Sequence, residues 1–202
     1  MSTASKQADY HALKMARKKA QIDASIEQAD TEKGVLIVIT GKGKGKSTSG
    51  FGMVARALGH GLKVGVCQFI KSRTDTGEEA FFKNQPLCEW HVLGDGFTWD
   101  TQNLEQDIAT SKCAWEVASK MLSDARYNLV LLDELTYLLS YRYLDKESVL
   151  SALKNRPAQQ HVVITGRSAI AELRELADTV SDIKEEKHAY KSGIIAQKGV
   201  DF

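Results

Sequence analysis

The chain has 202 residues, of which 43% are hydrophobic and 26% charged, enough for one ordinary globular domain with a full core. A formal net charge of +1 gives bulk electrostatics no pull toward nucleic acid or an anionic membrane. The longest apolar runs, VLIVI (35–39) and LVLL (129–132), are far too short to span a bilayer, and the polar N-terminus lacks a signal-peptide core. Cys67, Cys88 and Cys113 are widely spaced and form no C-x-x-C pair, so a cytoplasmic, reducing environment is expected.

Residues 1–33 are polar. A basic patch, KMARKKA (14–20), precedes Ile22 and Ile26 at helical spacing, which predicts a weakly amphipathic helical arm. Asp9, Asp23, Glu27, Asp30 and Glu32 dilute its charge and argue against a nucleic-acid tail. From residue 34 to 202 the pattern becomes that of one α/β domain. VLIVIT (35–40) reads as a buried strand, followed by a glycine-rich loop and a helix from about Ser47 to His60. KVGVCQFI (63–70) and CEWHVL (88–93) read as strands, with a short helix in RTDTGEEAFFKN (73–84) between them. GDGFTWD (94–100) is a loop. The helix after it runs to about Ser123, with an apolar stripe through Ile108, Ala109, Trp115, Ala118 and Met121. NLVLLDE (128–134) is a strand ending in two acids, VLSALKN (149–155) a helix closed by Pro157, and HVVITG (161–166) a strand. SAIAELRELAD (168–178) is expected to be a helix with Ser168 as its N-cap, and TVSDI (179–183) and GIIAQKG (193–199) late strands. Apolar strands without polar alternation, each followed by a helix, predict a single doubly wound, mostly parallel sheet covered on both faces.

Chemistry concentrates in TGKGKGKSTSG (40–50). Gly45, Lys46 and Ser47 fit the end of the phosphate-binding pattern G-x-x-x-x-G-K-[ST], but Thr40 stands where its first glycine belongs. Glycines at 41, 43 and 45 let backbone N–H groups approach phosphate oxygens, and the helix that follows aims its positive end at the same place. Lys46 would reach the polyphosphate and Ser47 offer its hydroxyl to magnesium. Lys42 and Lys44 make the loop unusually cationic, and three lysines so close repel one another unless a polyanion lies among them. The turn that Thr40 does not make is assigned to Gly41. LVLLDE (129–134) delivers Asp133 and Glu134 to the sheet edge where ligands of parallel sheets bind. Phe97 and Trp99 stand two residues apart in a glycine-bounded loop, where they either tuck into the core or pack on a large flat ligand. The sequence shows neither an H-E-x-x-H pair nor a G-x-S-x-G elbow, so a nucleophile is expected from a second substrate.

Six segments, in order along the chain, resemble the P-loop type of ATP:corrinoid (cob(I)alamin) adenosyltransferase: TGKGKGKST (40–48), VCQFIK (66–71), GFTWDTQN (96–103), LVLLDELTY (129–137), VVITGR (162–167) and 175–202. The resemblance implies a P-loop NTPase (RecA-like) fold. It also implies attack of Co(I), in a reduced cobalamin or cobinamide, on the 5′ carbon of ATP, with triphosphate as leaving group. Carried over residue by residue, it makes Gly41, Lys42, Gly43, Lys44, Gly45, Lys46, Ser47 and Thr48 the triphosphate site. Lys46 becomes the main cation, Ser47 and Glu134 the magnesium ligands, and Asp133 stands behind them. Phe97 and Trp99 match an aromatic pair that displaces the corrinoid's lower axial ligand, easing reduction of Co(II) by a flavodoxin-type or flavin donor. A homodimer is implied as well. The family usually carries Asn at Lys42 and Thr at Ser47; serine keeps the magnesium-binding hydroxyl, whereas Lys42 would alter how the ribose or phosphates are held, and Arg73 and Arg167 have no assigned roles. An ordinary phosphate-loop ATPase or kinase, and a non-enzymatic nucleotide- or corrinoid-binding chaperone, are the alternatives.

Overall fold

The short apolar runs become strands: β1 (Leu36–Thr40), β2 (Val64–Gln68), β3 (Cys88–Val92), β4 (Leu129–Asp133), β5 (His161–Thr165) and β6 (Thr179–Asp182). They form one sheet in the order β3-β2-β4-β5-β1-β6, with every pairing parallel. The computed structural model describes residues 3–70, 75–94 and 103–202. Helix α1 (Thr3–Glu27) belongs to a compact unit ending at Glu32, and its described side chains are exposed. Everything else lies in a second unit, Lys33–Phe202. No described helix is long and apolar enough to cross a membrane.

Parallel strands need crossovers, and helices α2 (Lys46–Gly59), α3 (Gly77–Phe82), α4 (Leu104–Ser123), α5 (Leu135–Ser140), α6 (Lys146–Lys154) and α7 (Ala171–Leu176) lie between them in the chain. Alternate residues of β1, β2, β4 and β5 feed two cores. Val130 and Leu132 pack with Trp115, Met121, Leu150 and Leu173 on one face. Leu129 and Leu131 join Phe51, Val54 and Phe82 on the other. Phe51 stacks on Trp90 at 5.5 Å and on Phe82 at 5.9 Å between ring centroids. Each fully buried side chain of this size contributes roughly 1.5–3 kcal/mol, which is why the strands carry no polar alternation.

Four expectations are corrected. GIIAQKG is not a strand: Gly193 and Gly199 adopt left-handed backbone, and Ile194 and Ile195 stay exposed and pair with no strand. The helix placed at 168–178 begins only at Ala171. Ser168 is not its cap, because its own backbone is left-handed (φ 56) and Ile170 holds the N-cap position. Ala109 is exposed. The buried stripe of α4 instead runs through Ser111, Ala114, Trp115, Ala118, Met121 and Leu122. Helix α6 starts at Lys146, three residues before Val149, because Asp145 accepts the Ser148 N–H at 2.8 Å and caps it.

The amino edge of the sheet is fastened by charge. Asp178 accepts the Leu36 N–H at 2.8 Å and pairs with Lys33, while Arg156 donates to the carbonyls of Gly34, Leu153 and Gln160. The Leu36 amide first, then Lys33, hold the Asp178 carboxyl below the usual carboxylate range. A depressed folded pKa gives stability that is present above the unfolded value of about 3.9 and is lost as pH falls through the folded one. Asp178→Ala is therefore expected to lower the unfolding free energy at pH 7 by about 1.5–3 kcal/mol. Urea melts should show that deficit shrinking as the pH drops below about 4; a deficit independent of pH would mean that packing, not charge, is lost.

Candidate active site

The carboxyl ends of the strands are level. Ile39 pairs with Thr165, Leu132 with Ile164 and Gln68 with Asp133, so the loops leaving β1, β2, β4 and β5 meet at one edge. At β1 the chain bends at Gly41 (φ 106) and again at Gly45 (φ 112), conformations costly for any residue with a Cβ. A side chain at Gly41 would also strike the Ile183 carbonyl oxygen at 2.4 Å, and one at Gly43 that of Lys184 at 2.5 Å. The loop lies that close because Gly43 N–H donates to Ile183 and Ile183 N–H donates to Thr40, each at 2.8 Å. Thr40 thus remains a strand residue, 1% exposed, and Gly41 makes the turn.

The three lysines have different surroundings, and Lys44 still acts on Lys46 as a like charge that lowers its pKa. Lys46 opens α2, is buried, and donates from Nζ to the Gly43 carbonyl at 2.7 Å. Lys44 pairs with Asp201 at 2.6 Å, and Lys42 stands exposed at the rim of a cleft. No side chain caps the start of α2, so its first-turn N–H groups are open to an anion. Ser47 is half-buried in that turn. Thr48 is exposed and lines a separate cavity of about 340 Å³ with Phe81, Phe82 and Val200.

The two acids have different surroundings. Asp133, nearly buried, accepts Thr165 Oγ1 at 2.6 Å and Gln68 Nε2 at 3.1 Å, so both of its oxygens are engaged. Glu134 takes left-handed backbone (φ 64), and its N–H donates to Thr165 Oγ1 at 3.0 Å. Its Oε2 is buried without a hydrogen-bond partner. Burial, then the neighbouring Asp133 carboxylate, push the Glu134 carboxyl up to about 7 against the pull of Lys46 and Arg167. Burial in turn lowers the Lys46 pKa, and Glu134 is the group that most opposes it. A buried cation and an acceptor lacking a partner therefore sense each other at the sheet edge, an arrangement that suits a polyphosphate and its counter-cation.

Beside the loop opens a cleft of about 1000 Å³, lined among others by Lys42, Tyr137, Tyr141, Arg167 and Tyr190. Phe97, Trp99 and Arg73 lie outside the described residues. Among the described residues no group of three His, Cys, Asp or Glu side chains is placed to hold a metal unaided. Sequence reasoning missed Thr165 and Gln68, which fix Asp133, and Thr136, whose hydroxyl donates to the Arg167 carbonyl at 2.6 Å. The available signal was a polar residue ending an otherwise apolar parallel strand, as in HVVIT and VGVCQ.

A family model described as ATP:corrinoid adenosyltransferase BtuR/CobO/CobP matches residues 32–202. The corrinoid adenosyltransferase of Pseudomonas aeruginosa is 55% identical over 193 residues, 95% of each chain. That of Escherichia coli is 49% identical over 186 residues, 92% of this chain and 94% of the relative. The corrinoid adenosyltransferase CobA of Salmonella typhimurium is 47% identical over 184 residues, 91% and 93% of the two chains.

Proposed function

Because the chain belongs to the ATP:corrinoid adenosyltransferase family, its activity is the transfer of the adenosyl group of ATP to a corrinoid, and we propose the residue roles that carry it out. The reduced corrinoid brings its own nucleophile. Co(I) gives an electron pair to the 5′ carbon, and the bond from that carbon to the triphosphate oxygen breaks with its pair. A cobalt–carbon bond forms and triphosphate leaves. No proton moves in this step, so the protein needs no general base. Its work is to align the 5′ carbon and to stabilise charge on the leaving group.

The observation that carries these roles is the coupling of buried Lys46 to the unpartnered Glu134 carboxylate beside an uncapped helix start. Gly41 to Ser47, with Thr48 at their margin, hold the triphosphate through backbone N–H groups and Lys46. Magnesium fits the orphaned Oε2 of Glu134, and Glu134 with Ser47 would hold it. When bound, it neutralises charge on the triphosphate. Asp133 stands behind, its two oxygens already taken by Thr165 and Gln68. Lys42 lies exposed at the rim of the cleft, where its charge would bear on how the ribose or phosphates of ATP are held.

Phe97 and Trp99 are assigned the displacement of the corrinoid's lower ligand, which makes Co(II) easier to reduce. Phe97→Ala or Trp99→Ala should slow a reaction that starts from Co(II) and a flavodoxin-type donor far more than one from chemically generated Co(I). Equal losses in the two assays would remove that role. The exposed Tyr10, Leu13, Ile22 and Ile26 of α1 support a homodimer, which sedimentation would test. The free thiols Cys67, Cys88 and Cys113 support a cytoplasmic location.

The deciding experiment mixes the protein anaerobically with magnesium-ATP and reduced cobalamin and identifies the phosphate product. Triphosphate with a light-sensitive corrinoid is expected. ADP and phosphate would point to an ordinary ATPase or kinase, and no turnover to a binding protein.

A further inference from the structure

The loop after β5 is built more firmly than a surface turn requires. Gly166 (φ 131) and Ser168 (φ 56) both take left-handed backbone, the second of them disfavoured for a residue with a Cβ. Between them stands Arg167, exposed, its guanidinium making no hydrogen bond or ion pair among the described residues. Three tethers hold this turn. Gly166 N–H donates to Ile39 at 3.2 Å, Thr136 Oγ1 donates to the Arg167 carbonyl at 2.6 Å, and Ala169 N–H donates to Thr40 Oγ1 at 3.3 Å. Both threonines are buried, at 0% and 1% exposure. The backbone at Gly166 approaches so closely that an added Cβ would lie 2.2 Å from Thr136 Oγ1 and 2.9 Å from Glu134 Oε2.

β5 lies between β1 and β4, so Arg167 emerges between the phosphate loop and the acid. It lines the large cleft, and its charge is felt at both Lys46 and Glu134. A solvated surface arginine needs no such mount. We propose that Arg167 is a further catalytic residue that engages the leaving triphosphate, and that Thr40 and Thr136 are positioning residues that hold its turn. The assignment rests on the adenosyltransferase activity argued above. As the bond to the 5′ carbon breaks, negative charge builds on the departing oxygen, and a planar guanidinium fork suits a phosphate edge better than a point charge. Thr40 then has a task that glycine could not perform. Its hydroxyl fastens the neighbouring arginine turn, while Gly41 makes the bend.

The test uses the full chain, with chemically reduced cobalamin for turnover and inorganic triphosphate as the binding probe. Arg167→Ala should lower kcat about 10²-fold. It should also weaken triphosphate binding about tenfold while leaving the melting temperature near that of the parent. Arg167→Lys should fall between. Thr40→Val, which keeps shape and removes the hydroxyl, should lose activity in the same direction, and Thr40→Ser should restore most of it. In an Arg167→Ala background, Thr40→Val should add less than about twofold, because its effect passes through the arginine. Arg167→Ala within about threefold of the parent in both assays, on the scale where tenfold is 1.4 kcal/mol, overturns the assignment. A Thr40→Val loss fully additive with Arg167→Ala overturns the positioning role. A parent chain that releases no triphosphate overturns the assignment together with the activity on which it rests. A parent that releases it normally, with Arg167→Ala unchanged, overturns the assignment alone.

Discussion

Lys46→Ala is expected to cut triphosphate release by about 10²–10³-fold, equally from Co(II) with a reductant and from chemically generated Co(I). Lys46 is the one loop lysine that is both buried and unpaired with a surface acid; its Nζ rests on the Gly43 carbonyl, at 2.7 Å. That contact satisfies one of three ammonium donors, so a phosphate oxygen can engage the others without the lysine first leaving an ion pair. Lys44 differs, because Asp201 already holds it at 2.6 Å. Removing Lys46 also leaves Glu134 and Asp133 without their nearest buried counter-charge, which disfavours the ionised Glu134 further. Isothermal titration with inorganic triphosphate should show a parallel loss of affinity, and circular dichroism an unchanged fold. A turnover loss below about tenfold, 1.4 kcal/mol on the barrier, would move the main electrostatic role elsewhere in the loop. The equality of the two assays separates Lys46, which serves the leaving group, from Phe97 and Trp99, which serve the cobalt.

Those assignments drew on different depths of the sequence. The strands were legible because a parallel sheet covered on both faces leaves unbroken apolar runs. VLIVIT, NLVLLDE and HVVITG each became a strand within a residue or two. The phosphate loop was legible because its glycines are local requirements, as the positive φ values of Gly41 and Gly45 show. What joins the site together was not. Asp133, Gln68 and Thr165 lie far apart in the chain and meet only through strand register, which no single segment encodes. Helix α5 was missed because the break before it is a left-handed Glu134, and a glutamate gives no local sign of that conformation. GIIAQKG misled in the opposite way, since two isoleucines between glycines satisfy a strand pattern whether or not a sheet edge is free. Thr40 looked like a defect in its motif until the Ala169 amide showed what its hydroxyl holds.

Glu134→Gln should move stability and function in opposite directions. The Glu134 carboxylate is buried, lacks a partner for Oε2 and sits beside a second carboxylate, and its pKa is pushed up to about 7. A carboxyl whose folded pKa is raised loses stability as pH rises from the unfolded value of about 4.3 through the folded one. Above that, the folded state bears the whole penalty, on the order of 3 kcal/mol. An amide of the same shape bears no charge, though it too lacks a partner there. The nucleotide-free variant should therefore be more stable than the parent at pH 8, by about 1–3 kcal/mol. Near pH 5, where the folded carboxyl keeps its proton, most of that gain should vanish. With magnesium-ATP the order should reverse. The parent gains from binding a ligand that its unfolded chain does not bind. The variant, without the anionic oxygen, should show little magnesium-dependent shift in melting temperature and turn over about 10²-fold more slowly or worse. If the variant were less stable than the parent at pH 8 without nucleotide, Glu134 would be a structural acid. If it kept the magnesium-dependent shift, the cation would be held elsewhere. The expected pairing of a more stable apoprotein with a weaker enzyme is the mark of a charge kept in an unfavourable place for what it binds.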